Sequence, residues 1–393
     1  MVKLTSIALA SAAVVATTTA AKWTAEPAFE SALIGAAMPD AKTAFVTGGS
    51  NGQGALALKS EDGGVTWNPM QIGQTFMLLA AGATSDTNAV VNGLFGAQYS
   101  VDGKTFKPAK GGGGQGQDVK GMGKNSFGIA GAFGGDPAGG VAISTDGGAS
   151  FTGHGVGAAL DATHPVRYAS YPTADTWFVS AGSWPSNSEH YGSDEKSLLV
   201  KQLSELVQLR QCRVTGKQFY KYIDPAELRE KFGTRLGNIT SYNAAIAKTT
   251  DGGKTFTKVF QKDNACMYFN DISCSSADHC IAGAEGHNCA TPGAHFYVTN
   301  DGGKTWNATG SDAGGGAMGV KMVNEKEGWV AGGGANKIGL MEDRFFHTTD
   351  GGATWNKEIV KGVIGLGLDC GDADNCVATA VTNTQQATVV YYK

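Results

Sequence analysis

Apolar positions along this chain come in short stretches separated by glycine and polar turns, not in long amphipathic repeats. Residues 166–171, 176–181 and 244–248 each read as a strand, and so do 271–274 with 281–284 and 320–323 with 328–332. Near the C-terminus, 363–369, 376–381 and 388–392 form a further set of three. Two regions depart from this pattern. Residues 7–16 are a continuous Ala-rich apolar run behind Lys3, followed by small residues up to Ala21. In residues 193–240, Leu199, Leu203, Leu206 and Leu209 recur at helical spacing, and the segment from Asp224 through Pro225 to Glu227 is a helix start that Gly233 ends.

Between the strands one segment keeps returning. Residues 60–67 read SEDGGVTW, and 144–151, 249–256, 299–306 and 348–355 repeat the pattern, with a copy one residue shorter at 100–106. The marker aspartates are Asp62, Asp102, Asp146, Asp251, Asp301 and Asp350, at intervals of 40, 44, 105, 50 and 49 residues. Four of the five intervals match the length of a four-stranded propeller blade. An aspartate that accepts bonds from N–H groups just downstream closes a turn, and the glycines take the positive φ a tight hairpin needs. The motif is therefore architectural. A calcium loop would need alternating acidic ligands, which are missing.

This repeat resembles the BNR/Asp-box motif of sialidases, sortilin-type receptors and photosystem II assembly factors, and a single propeller of this size is most similar to the last. The resemblance implies an all-β, seven-bladed β-propeller. Each box joins the third and fourth strands of its blade, giving six boxed blades. The C-terminal three strands make a seventh, completed by Lys22 and Trp23. The long third interval holds no extra blade but a helical insertion in blade 4, residues 193–240, with nine Lys or Arg against six Asp or Glu. That insertion reads as a surface elaboration, a retained intron or a docking arm.

Composition narrows the function. Glycine is abundant (58) and proline scarce (10), without the Gly-X-Y period of collagen, and a formal charge of −4 implies no nucleic-acid or membrane-surface partner. Residues 1–21 read as a signal peptide, and 22–393 as the propeller of a secreted monomer with no transmembrane segment. Asn238 and Asn307 begin glycosylation sequons. Cys274 with Cys280, and Cys370 with Cys376, share one spacing between first and second strands, so each pair is expected as a disulfide. Cys266 pairs with Cys289, and Cys212 is left over. A zinc site from His279, Cys280, His287 and Cys289 is the alternative.

Ligands are expected on the face opposite the boxes. Its candidate residues are Arg167, Trp184, His190, Tyr191, Glu285, His287, Asn336, Asp343 and Arg344, together with His164, Asn288 and Lys337. Trp184 and Tyr191 suit stacking on sugars or peptides. Sialidase chemistry would imply three arginines around a substrate carboxylate, with a Tyr–Glu pair. Of six arginines, four (Arg210, Arg213, Arg229 and Arg235) lie in the insertion, leaving only Arg167 and Arg344 in the blades. Another glycosidase would need two carboxylates, drawn from Asp136, Asp161, Asp271, Glu285 and Asp343. No nucleotide loop, metal motif or cofactor motif is present. The reading is a non-catalytic module that binds a protein or glycan, with a glycoside hydrolase as the alternative.

Overall fold

The computed structural model describes residues 22–26, 31–50, 54–73, 77–112, 114–184, 241–286, 289–313, 315–335, 341–382 and 386–393. They form seven four-stranded antiparallel sheets, each in simple up-and-down order. The first, axial strands of blades 1–7 are Ser31–Ala37, Leu78–Ala83, Gly116–Gly121, Val166–Ser170, Tyr268–Cys274, Gly316–Met322 and Val363–Asp372. The chain is thus a seven-bladed β-propeller. Among the described residues there is no α-helix, only one 3-10 turn at Gly157–Ala159. The helices expected over 193–240 therefore form no part of the described fold. His190, Tyr191, Cys212, Asn238, His287, Asn288, Asn336, Lys337 and residues 1–21 also lie outside the described residues.

The ring closes in blade 7, where Trp23–Ala25 pairs with Ala387–Tyr392 and supplies the outer strand. Trp23 stacks on Phe345 of blade 6 at 3.6 Å and meets Trp329 edge-on at 5.4 Å. Joining both chain ends in one sheet removes the open edge that a ring of blades would otherwise leave. The core lies between neighbouring sheets. Phe178 and Ile246 of blade 4 pack with Phe269, Ile272 and Tyr297 of blade 5, and the other interfaces repeat this arrangement. Glycine permits the closest approaches: a Cβ at Gly82 would stand 2.8 Å from Val119 of the next blade.

Each box is a closed circuit of hydrogen bonds. In blade 5 the Thr299 hydroxyl donates to Asp301 (2.9 Å) and accepts from the Gly303 N–H (2.8 Å). Asp301 also accepts from the N–H and hydroxyl of Thr305 at 2.9 and 2.6 Å. Those bonds, the Thr305 hydroxyl first, hold the Asp301 carboxyl down at about 2. The first box glycine then ties the turn inward. Gly63, Gly103, Gly147, Gly252, Gly302 and Gly351 each donate N–H to a carbonyl in the first hairpin of their own blade, at 2.7–3.0 Å. All six have φ between +65° and +77°, the region where a side chain is strained. Blade 7 has no box. Its first hairpin is held by the Cys370–Cys376 disulfide, and Cys274–Cys280 occupies the same place in blade 5 (Cα–Cα 4.0 and 3.9 Å). Cys266 is bonded to Cys289. With Cys280 and Cys289 committed to disulfides, and His279 facing the Gly351 carbonyl at 2.9 Å, the zinc alternative is overturned.

All seven first strands carry a register shift near their start, and their free edges face the axis. The N–H groups on those edges have no strand to pair with, and side chains from the preceding blade take that role. Asp118 accepts from Ala169 N (3.0 Å), Asp271 from Val320 N (2.8 Å) and Asp369 from Met38 N (2.7 Å). Asn92, Ser170 and Ser273 accept from Gly116, Cys274 and Met322. Lys120 stands 3.3 Å from Asp118 and 3.6 Å from Asp271, and Lys321 stands 2.6 Å from Asp369. Asp271 is thus an axial strut inside its strand, not the start of a strand.

Two predictions follow from these bonds. Thr299→Val keeps the side-chain shape at a fully buried site but orphans the Gly303 N–H. Denaturant unfolding should show a loss of about 1–3 kcal/mol, and an unchanged midpoint would show the circuit to be dispensable. Burial pushes the Asp271 carboxyl up to about 7, with Lys120 opposing and Asp118 adding to the rise; Tyr168 is the further titratable neighbour. A raised folded-state value means stability that is full below the ordinary carboxylate range and lost as pH rises through 7. Asp271→Asn still accepts from Val320 but does not titrate. Its melting temperature should gain on the wild type between pH 5 and pH 8, and parallel curves would refute the strut's titration.

Candidate functional site

Two places on the axis combine chemistry with access. The first is at the end where the first strands begin, opposite the boxes. There the register shift of blade 4 falls between Val166 and Tyr168, and that of blade 5 between Phe269 and Asp271. A bulge re-aims the extra residue, here Arg167 and Asn270. The Arg167 guanidinium donates to Asn270 Oδ1 at 3.2 Å and lies 5.2 Å from the Trp184 ring and 5.1 Å from the Tyr268 ring. Trp184 and Tyr268 meet at 4.9 Å, and Tyr242 stacks on Tyr268 at 6.2 Å. The Tyr268 hydroxyl donates to Glu285, directly opposite on the second strand and fully buried.

Arg344, on the third strand of blade 6, approaches from the other side. Its guanidinium stands 3.7 Å from Asp312, and a side chain at Gly315 would meet it while one at Gly316 would run into Glu285. The structure therefore gathers Arg167, Trp184, Glu285 and Arg344 at one end of the axis. Asp343 lies in the strand beside Arg344, paired with Gly333 and Val360. His164 is elsewhere: Asp161 and Asp263 hold its two ring nitrogens at 3.0 and 2.8 Å, pinning the entry to blade 4. Tyr242, Tyr268 and Asn270 were not expected, because nothing in a strand-like run distinguishes a residue facing the axis from one facing a neighbouring sheet. The bulge that turns Asn270 towards Arg167 leaves no residue-type signature.

Electrostatics set Arg167 apart. Among the described residues no carboxylate lies within ion-pair distance of its guanidinium, and its Nε is buried without a hydrogen-bond partner. Pairing a partly buried guanidinium with an anion is favourable. Three of the five carboxylates that a glycosidase pair would draw on are otherwise engaged. Asp136 accepts from Ala138 N and Gly157 N, both at 2.8 Å. Asp161 is held down at about 2, chiefly by the Thr163 hydroxyl. Asp271 is bound into the axial strut. Nor do the described residues bring three arginines together.

The second place is the other mouth of the axis, at the box face. A cavity of about 340 Å³ is walled by the ends of the first strands of all seven blades. Lys120, Lys321 and Asp369 line it together with Ser170 and Ser273.

Comparison with known proteins bears on the fold. The model of the BNR/Asp-box repeat family matches residues 297–308, the box around Asp301. No curated protein matches the sequence. Among solved structures, YCF48 from Cyanidioschyzon merolae is similar at 14% identity and a TM-score of 0.55, over 94% of this chain and 98% of that one. YCF48 bound to D1 peptide is similar at 12% and 0.53, over 96% and 97%. A polysaccharide lyase of family PL25, an ulvan lyase bound to a GlcA(1-4)Rha3S unit, is similar at 8% and 0.53, over 93% and 95%. Five boxes closed by the same circuit, and a shorter sixth at Asp102, make this chain a seven-bladed β-propeller that carries BNR/Asp-box repeats.

Proposed function

We propose that the chain is a secreted, non-catalytic propeller that binds an acidic glycan at the end of the axis opposite the boxes. One observation carries the reading: the Arg167 guanidinium, with no carboxylate beside it among the described residues, is set between the rings of Trp184 and Tyr268. A sugar ring packs on aromatic faces, and a guanidinium binds a carboxylate or sulfate through two parallel N–H bonds. The ligand-bound neighbours support an open choice between polymers, since one holds a peptide and another an acidic saccharide. The aromatic walls favour the sugar. Secretion rests on the apolar run of residues 7–16, on three disulfides and on the exposed Asn307 sequon.

A glycoside-cleaving enzyme is the second reading, favoured by the hydrogen bond from Tyr268 to Glu285 beside Arg167. A phenol held against a buried carboxylate can pass its proton to it as the phenol oxygen attacks the anomeric carbon and the glycosidic C–O bond breaks, the leaving oxygen taking a proton from water.

One experiment separates the readings. The full chain is mixed with uronic-acid and neutral oligosaccharides and with acidic peptides, and followed by native mass spectrometry over hours. Intact acidic sugars should be retained, and Arg167→Ala should weaken them at least tenfold with neutral sugars unaffected. Retention that survives Arg167→Ala would overturn the assignment, shortened sugars would establish the enzyme, and capture of peptides alone would make the ligand a protein.

A further inference from the structure

We infer that the cavity at the box-face mouth of the axis is a separate binding site for a small oxyanion, a tetrahedral anion or the carboxylate of a single sugar. It does not rest on the reading of the opposite face. At about 340 Å³ the cavity is at the small end of ligand-binding volumes, roughly 300–1,000 Å³.

Donors and acceptors divide around the axis. Of three carboxylates there, Asp118 and Asp271 are turned into the wall, and Asp369 lines the cavity with its oxygens engaged. Asp369 accepts from Met38 N, Cys370 N and Lys321, Asp271 from Ile272 N and Val320 N, and Asp118 from Ala169 N. Asp118 and Asp271 are buried behind the cavity surface, whereas Lys120 and Lys321 each keep about a third of the side chain exposed (31% and 32%). An ammonium carries three N–H donors. Lys120 faces Asp118 at 3.3 Å and Asp271 at 3.6 Å, both longer than the ~2.7–2.9 Å of a close charge-assisted bond, so its three donors are not used up by them. Lys321 spends one donor on Asp369.

The serines extend the pattern. Ser170 and Ser273 line the cavity with oxygens that already accept from Cys274 N and Met322 N, so their hydroxyl protons are the groups left to give. The wall therefore offers two ammonium groups, from blades 3 and 6 on opposite sides of the ring, and two hydroxyls. A cation would find the carboxylates engaged by backbone N–H groups and lysines; an oxyanion finds donors from both sides. Burial pushes the Asp271 carboxyl up to about 7, which lessens its part of the negative charge behind Lys120 near neutrality.

The test is calorimetric titration of the full chain with sulfate, phosphate and glucuronate, on wild type, Lys321→Gln and Arg167→Ala. A saturable site is expected that persists in Arg167→Ala, where the opposite face has lost its cation, and that Lys321→Gln weakens at least tenfold. Preference for sulfate or phosphate would identify a tetrahedral anion, and preference for glucuronate a sugar carboxylate. Lys120→Gln strips two buried carboxylates of their cation and endangers folding, so crystals of the wild type soaked in selenate supply the second measurement. Anomalous density between Lys120 and Lys321 is expected. Absence of saturable binding, binding lost in Arg167→Ala but kept in Lys321→Gln, or selenate only outside the channel would overturn the site.

Discussion

The constraint on which this propeller depends is the unpaired inner edge of its sheets. Seven sheets arranged around an axis leave seven strands whose outward bonds are made and whose axial N–H groups are not. Orphaned backbone donors away from water cost about as much as a lost hydrogen bond each. The chain answers by reaching from one blade to the next: Asp118 to Ala169, Ser170 to Cys274, Asp271 to Val320, Ser273 to Met322 and Asp369 to Met38. These bonds run in one direction around the ring. They fix each first strand relative to its predecessor, which the apolar contacts between sheets do less specifically.

The choice of carboxylates over hydroxyls has a consequence. A serine capping an N–H is neutral, but Asp118, Asp271 and Asp369 bring charge into the axis, and buried charge must be offset. Lys120 and Lys321 supply that offset from strands lining the same channel. The Lys120 ammonium, which burial alone would discharge, is kept charged by Asp118, Asp271 and Asp369 together. The lysines at the box-face mouth are thus first a structural requirement. Their exposure to a cavity follows from where the strands end.

Much of this was legible in the sequence where structure is local and repeated. The boxes announce themselves because Asp, Gly and a hydroxyl act within five residues, and six copies set the blade length. The hairpin disulfides are legible for the same reason, their partners lying six positions apart. Closure by Trp23 could be read from the strand left over at the C-terminus. The axial bonds could not, because Asp118 and Ala169 are 51 residues apart, Asp271 and Val320 49, and Asp369 and Met38 331. Arg167, Trp184 and Glu285 could be chosen as polar or aromatic residues near loops. Their partners Tyr268 and Asn270 sit inside a strand, and only the bulge between Phe269 and Asp271 brings them to the axis.

The two ends of the axis differ for a reason that lies in the direction of the strands. At the end where the first strands start, each bulge adds one residue that belongs to no ladder, so its side chain can vary without breaking a sheet. Arg167 occupies such a position with no carboxylate beside it among the described residues, and its neighbours are rings. At the end where the strands finish, side chains are bound by the duty of capping the next blade, and the residues there are small or charged. A propeller of this kind therefore has one mouth free to change its ligand while the fold stays the same. Its other mouth is chemically tied to the ring: replacing Asp369 or Asp271 would alter the cavity and the inner edge together. Ligand specificity can be redesigned at the bulges, whereas anything bound at the box face must accept the charges that hold the blades in place.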